Sequence, residues 1–121
     1  MAVVEMTIVA GAEGPPLHVH AGHGEGFYVL AGELVVRAGE EIATAPAGSF
    51  AYAPAGVPHT FANWTERDAR VLVLCAPAGF ERYFDALAAG IEGPPPEDAI
   101  SVGPPLDRSD PLLVETAADG L

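Results

Sequence analysis

Between Met1 and Pro77 glycine and proline recur so often that the apolar residues fall into short runs with turn chemistry between them. A helix of ordinary length has no place in such a segment, whereas strands of about four to eight residues fit it well. The runs are Val3–Val9, Leu17–His20, Phe27–Leu30, Glu33–Arg37, Glu41–Ala45, Phe50–Ala53, His59–Ala62 and Val71–Ala76. Between them lie Gly11–Pro16, Gly22–Gly24, Ala31–Gly32, Ala38–Glu40, Pro46–Ser49, Pro54–Pro58 and Asn63–Arg67. Closely spaced strands joined by turns predict an all-β domain, a small antiparallel barrel or sandwich.

After Pro77 the period changes. Phe80, Tyr83, Phe84 and Leu87 recur at i, i+3, i+4 and i+7, one apolar stripe on a short helix bracketed by Gly79 and Gly90. Its aromatic face is expected to pack on the barrel. From Gly90 onward the chain is rich in proline and glycine and ends in an acidic stretch, which predicts an extended tail that wraps the barrel or is partly disordered. A length of 121 residues suits a single domain. The barrel core is assigned to residues 1–77, and the helix and tail to residues 78–121 of the same domain.

Seventeen acidic residues against five basic ones give a formal charge of −12. Nucleic acid and anionic membrane surfaces both require clustered Lys and Arg, so neither is expected as a partner. The lone cysteine, Cys75, allows no intrachain disulfide and is read as a small buried side chain. The start of the chain lacks a basic, apolar leader, and no apolar run reaches the ~20 residues of a membrane span. A cytoplasmic protein is the expectation.

The segment His18-Val19-His20-Ala21-Gly22-His23-Gly24-Glu25 carries the chemistry. In a strand, residues i and i+2 face the same way, so His18 and His20 project together. Glu25 opens the next run, and an adjacent antiparallel strand would bring its carboxylate opposite the two imidazoles. His59 offers a third imidazole just after the stiff turn Pro54–Pro58. Three imidazoles and a carboxylate suit one divalent first-row transition ion (Fe, Ni, Co, Mn, Cu or Zn) better than calcium or magnesium. Such a set leaves coordination positions open for substrate. His23, in a Gly-rich turn, is expected to be exposed or to stand behind the ligands.

These spacings resemble a known family. His18-x-His20, four residues, Glu25, six residues and Gly32 are similar to the first cupin motif. Gly48, five residues, Pro54-x-Gly56, two residues, His59, three residues and Asn63 are similar to the second, and fifteen residues separate the two. One position departs: Ala12 stands where the family places a glycine, with Gly11 and Gly14 nearby. The resemblance covers about residues 3 to 77 and implies a cupin jelly roll with His18, His20, Glu25 and His59 as metal ligands. Gly32, Gly48 and Gly56 are read as turn glycines and Asn63 as a turn-bonding side chain.

The stretch Pro77–Phe84 and the Pro-rich segment ending Val102–Pro105 resemble single-domain bacterial cupins of the quercetin dioxygenase-like group. That resemblance implies an oxidoreductase, a metal-dependent dioxygenase acting on a small flavonol-like or polyketide-like aromatic. Phe27 shares a face with Glu25 and Phe61 with His59, and together with Tyr52 they are the expected substrate pocket. Glu25 is expected to double as general base, its pKa raised by an apolar pocket. Two other readings stand beside this one: a non-redox, metal-dependent isomerase, cyclase, decarboxylase or lyase, and a non-catalytic small-molecule-binding cupin. Trp64 is a candidate for the barrel mouth or for a core or surface position. Related barrels pair along an edge strand, so a homodimer through Val3–Val9 is expected.

Overall fold

A computed structural model describes residues 1–76 and 99–108. The expected helix over Phe80–Leu87 and the acidic end lie outside these residues. Among the described residues nine strands form, in chain order β1 (Ala2–Ile8), β2 (Leu17–His20), β3 (Gly24–Ala31), β4 (Glu33–Ala38), β5 (Glu41–Pro46), β6 (Phe50–Ala53), β7 (His59–Ala62), β8 (Ala69–Ala76) and β9 (Ala99–Gly103). They build two antiparallel sheets, β1-β8-β3-β6 and β5-β4-β7-β2-β9. The all-β expectation holds, with no helix among the described residues. None there is long and apolar enough to cross a membrane.

Alternation decides which side chains enter the space between the sheets. Phe27 and Val29 of β3, Val71, Val73 and Cys75 of β8, and Leu34 and Val36 of β4 form one buried cluster. Each strand turns its other face outward, as the pattern of β8 from Ala69 to Ala76 illustrates. A second, smaller cluster of Ile42, Ala62 and Leu106 forms with Val35 and Trp64 against it. Register puts Val35 opposite Ala62, on the face of β4 away from the core. The residues after β9 therefore cover the outside of the five-stranded sheet. Trp64 sits in this cluster with the Arg108 guanidinium over its ring. It follows the end of β7 remote from His59, away from the site residues.

β9 is the strand that the run pattern did not reveal. Its alternating residues Ile100 and Val102 face solvent, so no apolar face announces it. It exists because the edge of β2 offers free backbone groups, and Leu17–His20 pair with Ala99–Gly103. The expectation of an extended, wrapping tail holds for this stretch.

Two features lock the loops that carry the site. Gly14 has φ +76°, and a Cβ there would lie 1.7 Å from the carbonyl oxygen of Phe61, so only glycine fits. Asn63 is fully buried at the foot of β7, and its amide donates to the carbonyls of Ile8 and Arg67. Its oxygen accepts from the backbone N–H and the hydroxyl of Thr65. The turn-bonding role expected of Asn63 is met. Asn63→Ala strands these buried groups, so it is expected to lower stability by about 2–3 kcal/mol. Denaturant unfolding followed by circular dichroism checks this.

Candidate metal centre

The strands on either side of the core converge on one group of side chains. His18 and His59 are directly opposed across β2 and β7, which places both rings on the inner face of the five-stranded sheet. His20, two residues on, shares that face. Glu25 arrives from the other sheet. β3 pairs with β6 and β8 and not with β2, so the expected carboxylate on an adjacent strand is corrected. The short connection after His20 turns a corner between the sheets, and Glu25 reaches across the core to the imidazoles.

One ligand atom from each of His18, His20, Glu25 and His59 lies within 4.8 Å of the others. Glu25 Oε2 is 2.8 Å from His59 Nε2 and 3.3 Å from His20 Nε2. His20, Glu25 and His59 are buried and His18 is half-buried. The ring centroids of His18 stand 4.8 Å from His20 and 4.5 Å from His59. All four expected ligands are thus brought together.

Backbone carbonyls orient two of the rings. His18 Nδ1 lies 2.8 Å from the carbonyl of Pro16, and His59 Nδ1 lies 3.0 Å from that of Val57. A carbonyl only accepts, so each Nδ1 carries the hydrogen, and in neutral imidazole the lone pair then sits on Nε2, the atom aimed at the cluster. Both carbonyls lie two residues before their histidine, in proline-containing turns. The resemblance to the motifs did not point to them; a proline turn ending at each ligand strand was the available signal. Gly56 N–H donates to the carbonyl of His20, tying the turn before His59 to β2.

The charge balance follows from these contacts. Burial works against charge on Glu25, but hydrogen bonds from His20 and His59 outweigh it and hold the carboxyl down at about 2. The expected elevation of Glu25 is therefore corrected: the imidazoles, and not the apolar wall, set its ionisation. Burial also pushes His59 down, yet its bonds to Glu25 and to the Val57 carbonyl carry it above its ordinary value. Burial sets His18 below its ordinary value; the Pro16 carbonyl opposes this, and the neighbouring His59 and His20 reinforce it. A carboxylate oxygen and an Nε2 lone pair at 2.8 Å repel unless a positive species lies between them. In the metal-free protein a proton on His59 fills that role; a divalent ion fits the same donors, two of them already oriented.

His23 is buried, with its ring centroid 4.3 Å from that of His20, so its expected exposure is corrected and its place behind a ligand stands. Phe27 is buried beside the cluster, 6.3 Å from His59 and 5.5 Å from Phe61. Tyr52 does not belong with them. It pairs with Gly26, on the opposite face of β3 from Glu25 and Phe27, and lies largely exposed on the outside of the sheet.

The family described as Cupin domain matches residues 4–75. The chain is a cupin. Among solved structures this cupin resembles TT1209 from Thermus thermophilus, with 40% identity and a TM-score of 0.56 over 60% of this chain and 69% of that one. A predicted oxalate decarboxylase from Thermotoga maritima is 26% identical, with a TM-score of 0.56 over 60% of this chain and 63% of its own. A sugar phosphate isomerase of the cupin superfamily from Silicibacter pomeroyi is 29% identical, with a TM-score of 0.55 over 63% of this chain and 50% of its own. The cupin thus spans about half to two thirds of the lengths of these proteins. No curated relative matches it.

Metal binding must displace the proton shared by His59 and Glu25. Below the raised pKa of His59, apparent affinity for a divalent ion is expected to fall about tenfold per pH unit, and above it to level off. Competition with a chromogenic chelator between about pH 5.5 and about 8.5 tests this. The stability of the metal-free protein has the opposite sign. The part due to His59 is complete below its ordinary pKa of 6.5 and is lost as pH rises through the raised value. Glu25→Gln and His59→Ala are each expected to weaken zinc or nickel binding at least ~100-fold, as isothermal titration would show.

Proposed function

We propose that this cupin is a metal-dependent oxygenase. Its substrate is a flat aromatic of flavonol-like or polyketide-like form, with adjacent hydroxyl and carbonyl oxygens. The observation that carries the reading is the pairing of a three-imidazole, one-carboxylate donor set with an aromatic wall directly beside it. A bound first-row ion supplies Lewis acidity and access to dioxygen chemistry. The quercetin dioxygenase-like resemblance of the sequence points the same way.

The chain's own residues divide the work. His18, His20 and His59, with Glu25, would hold the ion, and the carbonyls of Pro16 and Val57 fix the rings of His18 and His59. Phe27 and Phe61 receive the ring system of the substrate and exclude water from one side of the centre. As a ligand, Glu25 would also balance part of the charge of the ion. It takes up the substrate hydroxyl proton only once His59 no longer donates to it, because that donation is part of what holds its pKa low.

A second reading uses the same residues without dioxygen: Lewis-acid isomerisation, cyclisation, decarboxylation or elimination. The predicted oxalate decarboxylase and the sugar phosphate isomerase among the similar structures support it. Oxygen uptake on a panel of flavonols separates the two. The oxygenase consumes one dioxygen per substrate lost and stops under anaerobic conditions, whereas turnover that persists without oxygen overturns it. Phe61→Ala is expected to raise KM about tenfold with a smaller change in kcat, since burial of one aromatic face is worth about 1–2 kcal/mol.

A further inference from the structure

His20 and Glu25, two members of the ligand group, stand on either side of the corner that joins the two sheets. Ala21 and Gly22 of that corner are exposed and Gly24 carries no side chain, so His23 supplies its buried side chain. Tyr52 closes the corner from outside, because a Cβ on Gly24 would clash with its hydroxyl.

Among the described residues three histidine rings surround that of His20. The rings of His18 and His59 lie 4.8 and 5.1 Å from it at interplanar angles of 81° and 42°. The ring of His23 lies 4.3 Å away at 30°, both nearer and more nearly parallel. Unlike the other two, His23 stands outside the ligand group. A neighbour of this kind has something to control. The last torsion of a histidine side chain is only broadly preferred by the side chain itself, so its surroundings choose the ring direction. For a ligand the choice matters, since half a turn puts a ring carbon where Nε2 stood. His18 and His59 are fixed through Nδ1 by the carbonyls of Pro16 and Val57. For His20 the matching constraint is the flat face of His23. Turning the His20 ring away from Glu25, now 3.3 Å from its Nε2, would drive its edge into that face.

We infer that His23 is a positioning residue for the metal centre: its ring, packed on His20, holds the His20 imidazole with Nε2 turned to Glu25. The inference rests on the reading of His18, His20, Glu25 and His59 as ligands and extends it to a residue outside that group. What the role requires of His23 is a flat ring and not a nitrogen.

The full chain and its variants H23A, H23L and H23F test this, with zinc affinity read by chelator competition and the ligand set by electron paramagnetic resonance of bound copper(II). In H23A, zinc affinity is expected to fall about 10- to 100-fold, the usual cost of losing a group that orients a ligand, and imidazole coupling to copper is expected to weaken. H23F keeps a flat ring and should bind within about threefold of the parent with the parent's spectrum, whereas H23L, bulky but not flat, should follow H23A. A merely structural role would lower the thermal stability of the metal-free protein and leave the affinity and spectrum of the folded protein unmoved. Should H23A fail to fold, H23F against H23L decides alone. Parent-like affinity and spectrum in folded H23A or H23L overturn the inference. So does H23F binding as weakly as H23A, which would assign the effect to a His23 nitrogen. A parent chain that takes up neither ion overturns the ligand reading itself, and this inference with it.

Discussion

The contact between Glu25 and His59 is the one on which the site depends. It joins the two sheets through the middle of the barrel, at 2.8 Å, between groups that are both buried. A buried carboxylate is costly unless it is paired, and its partners here are two imidazoles from the opposing sheet. The same pairing that makes Glu25 tolerable lowers its pKa and raises that of His59. A site built this way is poised between a proton and a metal ion.

The scaffold keeps that contact in register. His18 and His59 face each other because β2 and β7 pair at that residue, and Glu25 faces them because Phe27 and Val29 anchor β3 in the core. The turns add the finer control, with a carbonyl two residues before each of these histidines fixing which nitrogen points inward. Thr60 donates its hydroxyl to the carbonyl of Pro15, so the loop that orients His18 is tied to the strand that carries His59. The ligand geometry is thus a property of several backbone segments acting together.

Much of this is legible in the amino-acid sequence. The ligand set stood out because HxH alternation, a carboxylate and a later histidine occupy fixed spacings, and strand periodicity places alternate residues on one face. The strands themselves were legible wherever an apolar run met a turn, down to the ends of β2, β6 and β7. What failed shares one cause. Tyr52 has the chemistry of a pocket residue, but the pairing of Ala53 with Glu25 turns Tyr52 outward. His23 looked like a turn residue and is buried, because the turn is a corner between sheets and its side chain packs on His20.

Local pattern determined that this chain is an all-β domain in which His18 and His20 face the same way, since turn chemistry and two-residue alternation are properties of neighbours along the chain, and the spacing shared with the cupin motifs implied that Glu25 and His59 join them. Only the tertiary structure decided that Glu25 comes from the opposite sheet, that its carboxyl is acidic and that Tyr52 lies outside. Those outcomes rest on which strands pair and what is buried against what. Contacts between residues such as Glu25 and His59, far apart along the chain, have no signature in the sequence between them.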